Sequence, residues 1–283
     1  MPTYREALRQ AQQQLTQADA YEQHAQLLML ELANQNLSDL YLCYDEPMPQ
    51  ELYDTYCQGV KRLAKQEPLQ YVLGYQWFYG NKMTVTPEVL IPRYETEELV
   101  ANVLVDVDAY FEGKNPVLAD IGTGSGAIAI SLKREEPSLQ VYATDISETA
   151  LKVAQKNADD LNAEVTFYRG DLLQPLIDRG IQLDILVSNP PYIPQKQTLE
   201  SSVKDYEPHV ALFGGNDGLY FYRRIFEDAH KVIKEHSFLA FEIGYDEKDA
   251  LLALAKEYFP QDRMTVLQDL NGKDRMLFIY HNV

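Results

Sequence analysis

Cysteine is scarce in this chain: Cys43 and Cys57 are the only two in 283 residues, and they form no C-x-x-C pair. That excludes a disulfide framework, and a reducing compartment with no zinc site is expected. Clustered basic charge is also missing. Lysine and arginine total 25 against 43 aspartates and glutamates, giving a net charge of −18, and nowhere do three basic residues run together. Nonspecific nucleic-acid binding needs clustered cations to neutralise phosphates, so no direct contact with DNA or RNA is expected. An acidic surface still suits a basic protein partner. No apolar run reaches the roughly 20 residues that span a bilayer, and the N-terminus MPTYREALRQAQQQ has no secretory apolar stretch. The expectation is a cytoplasmic protein that engages no membrane. Histidines 24, 209, 230, 236 and 281 show no ligand spacing, so no metal is expected.

What is present suits a globular enzyme. Apolar residues make up 46% and charged residues 24%, enough to build a full core, and the length fits one large domain or two unequal ones. Residues 1–70 read as helical, with Asp19 and Glu22 spaced as a helix start. Leu52, Tyr56, Val60 and Leu63 share one helix face, read as bundle packing rather than a docking surface. Five basic against ten acidic residues over 1–80 exclude a basic nucleic-acid arm. Next, QYVLGYQWFYGNKMTV reads as a β-hairpin turning at Gly80-Asn81, with Trp77 and Tyr79 assigned to packing before substrate contact. From about residue 91, apolar runs at 117–121, 140–144, 164–168, 183–188 and 238–243 alternate with helix-length segments. Such alternation predicts an α/β, doubly wound sheet of parallel strands, closed by a hairpin around Asn271-Gly272. The expected division is a helical domain over 1–74, a hairpin linker over 75–90 and an α/β domain over 91–283.

Two motifs carry chemistry. Asp120-Ile-Gly122-Thr123-Gly124-Ser125-Gly126 ends the first strand of the α/β region and opens a helix. Its glycines let backbone turn sharply and approach a ligand closely, at the edge where open α/β sheets bind ligands. Nineteen residues after Gly126, Asp145 ends the next strand, where a carboxylate can accept from both hydroxyls of a ribose. This pair points to an adenosine-type cofactor. Gly122-x-Gly124-x-x-Ala127 also satisfies the dinucleotide pattern, so the pair alone leaves the cofactor open. Asp120 either orients a cofactor amine or caps the loop.

The second motif, Asn189-Pro190-Pro191-Tyr192, follows the fourth strand of the series and so lies at the same edge. Consecutive prolines remove two N–H donors and leave carbonyls free. The Asn189 side-chain oxygen and the Pro190 carbonyl can together accept both hydrogens of a planar NH2 group, with the Tyr192 ring packed over its flat face. Such a holder suits an amide or exocyclic amine and has no role in hydride transfer.

With both motifs the chain resembles class I S-adenosylmethionine-dependent methyltransferases that modify planar nitrogen. Further stretches are similar to the HemK-type family, the protein-(glutamine-N5) methyltransferases of peptide chain release factors. They are Pro68–Gly74, Phe78-Tyr79-Gly80, Ile91-Pro92-Arg93 into Glu95-Thr96-Glu97, Tyr206-Glu207-Pro208, Gly214–Leu219, Phe241–Gly244 and Asp269–Arg275. Tyr94 departs from the pattern, which usually has a second proline after Arg93.

The resemblance implies a mostly parallel seven-stranded class I methyltransferase sheet. It also implies S-adenosyl-L-methionine as cofactor, S-adenosyl-L-homocysteine as product, and the glutamine of a Gly-Gly-Gln loop as acceptor. The cofactor would be bound by Gly122, Thr123, Gly124, Ser125, Gly126, Asp145, Asp171, Leu172 and Asn189. Asn189, Pro190, Pro191 and Tyr192 would hold the acceptor, with Asn189, Pro190 and Tyr192 serving catalysis. Arg93, Glu95 and Thr96 either line the cofactor's methionine end or tie the hairpin to the domain. The expected partner is a release factor met by a monomeric enzyme. The alternatives are a DNA adenine-N6 methyltransferase, disfavoured by the acidic charge, and a nicotinamide-dependent oxidoreductase, which leaves Asn189–Tyr192 unexplained.

Overall fold

The computed structural model describes residues 1–198 and 200–283, in two compact units. The first comprises Met1–Tyr75 and the short helix Ser201–Tyr206, and the second comprises Gln76–Thr198 and Glu207–Val283.

In the first unit, helix Tyr4–Gln17 starts at a capping box: Thr3 Oγ1 accepts from the Glu6 amide and Glu6 returns the bond to the Thr3 amide. Helix Gln23–Ala33 starts differently from the expectation. Asp19 sits outside it at φ 55°, and the Glu22 carboxylate caps nothing, accepting instead from the Thr16 hydroxyl at 3.2 Å. Helix Gln50–Leu63 buries Tyr56, Val60 and Leu63, with Leu52 half-buried on the same cluster. The Tyr56 hydroxyl donates to the Ala25 carbonyl at 3.0 Å. That stripe is core. The Tyr206 hydroxyl donates to the Lys65 carbonyl at 2.6 Å, fastening the late helix to this unit.

Strands β1 (Tyr75–Phe78) and β2 (Asn81–Thr84) pair as a two-stranded sheet. The turn is one residue earlier than expected: Tyr79 at φ 48° and Gly80 at φ 71° form it, a conformation that glycine permits at little cost. Asn81 is instead buried in the strand, donating to the Tyr79 carbonyl and the Ser131 hydroxyl, both at 3.1 Å. Trp77 does not pack in the core. Strand alternation buries Gln76 and Phe78 and leaves Trp77 51% exposed.

The main sheet contains β3 (Val117–Ile121), β4 (Gln140–Asp145), β5 (Val165–Arg169), β6 (Leu183–Ser188), β7 (Ile233–Glu242), β8 (Arg263–Gln268) and β9 (Asp274–His281). Its order is β5-β4-β3-β6-β7-β9-β8, parallel throughout except where β9 runs against both neighbours. This is the class I methyltransferase sheet. The central strands are buried on both faces, which is why β3 and β6 read as continuous apolar runs. The chain winds from β3 outward to β5, then crosses to β6 on the other side of β3. Strand order therefore reverses between β3 and β6, and Ile121 pairs with both Thr144 and Ser188 at the carboxyl edge. A ligand crevice is expected at that reversal.

Candidate active site

After β3 the backbone turns through Gly122, Gly124 and Gly126, all at positive φ. A Cβ on Gly122 or Gly124 would meet nothing within 4 Å, so these two form an open cradle. Gly126 instead packs inward: a Cβ there would lie 2.8 Å from Ile130 Cδ1 and 3.2 Å from Ala154 Cβ. Thr123 and Ser125 are buried. The Thr123 hydroxyl donates to Asp120 Oδ2 at 2.6 Å, and the Ser125 carbonyl accepts from Asn157 Nδ2 at 2.9 Å. Asn157 also accepts from the Thr84 amide at 2.7 Å and donates to its carbonyl at 3.0 Å, clamping β2 to the glycine loop.

Asp120 is 1% exposed, and its Oδ1 has no hydrogen-bond partner among the described residues. Burial pushes its pKa up to about 7, against the downward pull of its bonds from Thr123 and the Ala129 amide. Asp145 accepts from the Gly124 amide at 2.9 Å and the Ser147 amide at 2.8 Å, so the loop and the end of β4 brace each other. Burial raises the pKa of Asp145 too, opposed by those amides.

Beyond β6, Asn189, Pro190 and Pro191 line a cleft of about 220 Å³ together with Gly122, Gly124 and Asp145. The two motifs thus meet in one cavity. Its apolar walls include Val89, Leu90, Ile146, Leu172 and Phe221, and Asp171 and Arg224 add polar groups. The Asp171 carboxylate is committed: Arg224 donates to it through both terminal nitrogens, at 3.1 and 2.7 Å. Leu172 holds a left-handed backbone at φ 48°, a conformation costly for a non-glycine residue, and its carbonyl accepts from the Thr144 hydroxyl at 2.9 Å.

Tyr192 is not among the residues that line this cleft. Its hydroxyl donates to Glu242 Oε1 at 3.3 Å, and its ring packs on the core cluster that contains Tyr222 and Phe241. Glu242, at the end of β7, is 2% exposed and also accepts from the Thr96 hydroxyl at 2.6 Å. Burial raises the Glu242 pKa, while the bonds from Thr96 and Tyr192 and the positive charge of Arg275 draw it down. Thr96 in turn accepts from Asn189 Nδ2 at 3.2 Å. Thr96 therefore faces the acceptor motif. Arg93 has another task, pairing with buried Glu207 at 2.5 Å and fixing the segment before helix Tyr94–Phe111.

Sequence reasoning missed Arg224, Glu88 and the role of Glu242. Glu88 lines the cleft and accepts from the Thr149 hydroxyl at 2.6 Å. Glu242 carried a signal, a carboxylate inside the apolar run FLAFEI, where burial demands a partner.

A seven-stranded crossover sheet in this order, with an open glycine loop at its reversal point, is the class I methyltransferase fold. Comparison with known proteins narrows the class. The "PrmC N-terminal domain" family matches residues 6–74, and the "Methyltransferase small domain" family matches residues 99–206. The chain is 41% identical over 275 residues to the release factor glutamine methyltransferase of Bacillus anthracis, covering 96% of this chain and 97% of that one. It is 42% identical over 281 residues to that of Bacillus subtilis, covering 98% and 97%. Among solved structures, the METTL16 catalytic domain in complex with the MAT2A 3′UTR hairpin 1 shares the fold, at TM-score 0.56 and 20% identity over 81% of each chain. The chain belongs to the release factor glutamine methyltransferase family.

Proposed function

We propose that this protein transfers a methyl group from S-adenosyl-L-methionine to the side-chain amide nitrogen of the glutamine in the Gly-Gly-Gln loop of peptide chain release factors. The observation that carries this reading is the shared cleft: Asn189 and Pro190 line the same cavity as Gly122, Gly124 and Asp145. The family membership names the acceptor, and the holder supplies the chemistry. The enzyme acts as a cytoplasmic monomer without nucleic acid or a metal. Among the described residues, no helix is long and apolar enough to cross a membrane.

The cleft fits the cofactor on its own features. The open backbone at Gly122 and Gly124 gives a cradle, and just before it the buried Asp120 keeps Oδ1 without a partner among the described residues, a carboxyl that a cofactor ammonium group beside it would draw toward its charged form. Asp145 would accept from the ribose hydroxyls, and Leu172 and Ile146 would border the adenine, with Asp171 held at that end by Arg224. S-adenosylmethionine supplies a methyl already activated on a sulfonium, and its product is the neutral thioether S-adenosylhomocysteine.

The chain's own residues must then position a poor nucleophile. An amide nitrogen has its lone pair delocalised into the carbonyl. Accepting both of its hydrogens at Asn189 Oδ1 and the Pro190 carbonyl raises electron density on nitrogen and fixes its direction of approach. Orientation of this kind can supply up to roughly 7–11 kcal/mol of the barrier. Held by Asn189 Oδ1 and the Pro190 carbonyl, the acceptor nitrogen would take the methyl that the bound cofactor supplies, the bonding pair remaining with the cofactor's sulfur, and would lose its surplus proton to water afterwards. No side-chain base is required. The apolar wall of Val89, Leu90 and Phe221 excludes water from the charge-dispersing transfer.

The test is transfer of labelled methyl into purified release factor, with the site located by mass spectrometry. Label on the loop glutamine is the expected result. Label on adenine of duplex DNA, with the release factor ignored, would overturn it.

A further inference from the structure

Asn189 can serve the acceptor only with its oxygen toward the substrate, yet an asparagine side chain fits nearly as well after a half-turn that exchanges oxygen and nitrogen. In the half-turned state its NH2 would face the hydrogens of the acceptor amide and repel them. Something must choose between the two states. The polar network around Thr96 makes that choice.

Glu242 is buried at the end of β7, and its two oxygens accept from the Thr96 and Tyr192 hydroxyls. The short 2.6 Å bond commits the single hydroxyl hydrogen of Thr96 to the carboxylate. Thr96 then has only lone pairs left for Asn189, 3.2 Å away, so the group it faces must be the amide donor Nδ2. With Nδ2 fixed on Thr96, Oδ1 turns to the other side. We propose that the Thr96–Glu242 pair is a positioning device that sets the polarity of Asn189, and thereby the enzyme's selectivity for an acceptor bearing an NH2 group. The inference rests on the proposed reading of Asn189 as amide holder.

The network joins three separate elements: helix Tyr94–Phe111, the loop after β6 and the end of β7. Thr96 is 5% exposed and Glu242 2%, so water cannot substitute easily for either partner. Burial disfavours the charge on Glu242 and raises its pKa; the bonds from Thr96 and Tyr192 and the Arg275 guanidinium oppose that rise and so support the charged carboxylate that this polarity needs. Its own Nε is tied to Asp269 at 3.2 Å. Thr96 touches no reacting atom in this scheme and acts only through Asn189.

The test compares Thr96→Val, which keeps the shape and deletes the hydroxyl, with Thr96→Ser, which keeps the hydroxyl. Two readouts are needed. In side-chain amide NMR of the full-length protein, wild type and Thr96→Ser should show Asn189 Nδ2 hydrogens protected from exchange, and Thr96→Val should lose that protection. In steady-state transfer to release factor, Thr96→Val should lose up to about 100-fold in kcat with little change in KM or in stabilisation by S-adenosylhomocysteine. Thr96→Ser should recover most of the rate. A Thr96→Val enzyme within about threefold of wild-type kcat overturns the proposal. So does a Thr96→Ser enzyme as slow as Thr96→Val, because that pattern marks a packing role. A wild type that methylates no glutamine overturns the reading of Asn189 instead, and the amide exchange still decides whether Thr96 sets its orientation.

Discussion

At the scale of single residues, burial works against charge beside the glycine loop. Asp120 has an unpaired oxygen in a fully buried position, and its carboxyl is raised from an ordinary 3.8 to about 7. A raised folded-state value means the neutral form suits the fold. Its contribution to stability is complete below about pH 3.8 and is lost as pH climbs through about 7. The gap between those values corresponds to something on the order of 4 kcal/mol. In ligand-free protein the wild-type melting temperature should therefore fall relative to Asp120→Asn between pH 5 and pH 8. A melting difference that stays flat across that range would show an ordinary carboxyl at Asp120. Asn189 calls for a different measurement. Asn189→Ala removes one acceptor for the substrate amide and leaves the glycine cradle intact. It should bind S-adenosylhomocysteine within a fewfold of wild type and lose roughly 100-fold or more in kcat, since the lost interaction matters most at the transition state. Near-normal turnover would remove Asn189 from the holder.

At the scale of elements, legibility followed the range of the interaction. Strands β3, β4 and β6 were readable because burial on both faces makes apolar runs. The first half of β7 was not, because Lys234, Glu235 and His236 interrupt the pattern where the strand nears the sheet's lower edge, before the apolar stretch from Phe238. The strings Asp120–Gly126 and Asn189–Tyr192 were legible as local sequence, and from them Ile121, Gly122, Gly124, Asn189, Pro190 and Pro191 line the cleft. The links that orient them were not, since Asn189 meets Thr96 93 positions away and Thr96 meets Glu242 146 positions away. The clamp between β2 and the glycine loop is equally nonlocal, with Asn157 reaching Thr84 across 73 positions. Asn157→Ala would strand three backbone groups: the Thr84 amide, the Thr84 carbonyl and the Ser125 carbonyl. At about 1 kcal/mol or more for each, the loss of stability should be roughly 3 kcal/mol or greater. Because Ser125 belongs to the glycine loop, affinity for S-adenosylhomocysteine should weaken along with the melting temperature. A variant with lowered melting temperature but unchanged affinity would show that the clamp serves the fold alone.

At the scale of the whole molecule, the residues that line the cleft run from Glu88 to Arg224 and belong to the second unit. The first unit has its own core of Tyr4, Leu15, Leu28, Met29, Tyr56 and their neighbours, and supplies none of the described lining. More than a quarter of the chain thus lies outside the described lining of the cleft, and we propose substrate recognition as its role. The cleft is small, about 220 Å³, and the proposed acceptor is one side chain at the tip of a loop. Two glycines beside that glutamine let the tip be narrow and flexible, so the tip alone carries little binding energy and much conformational entropy. Contacts with the body of a folded release factor can offset that entropy and hold the glutamine in line for transfer, which raises kcat as well as lowering KM. A short Gly-Gly-Gln peptide should accordingly be used far less well than the intact factor, with kcat/KM lower by roughly 100-fold or more and part of the loss in kcat. Methyl transfer measured side by side on peptide and factor decides this. Equal kcat/KM values would mean that the cleft recognises the loop unaided, and the first unit would then have no part in positioning the substrate.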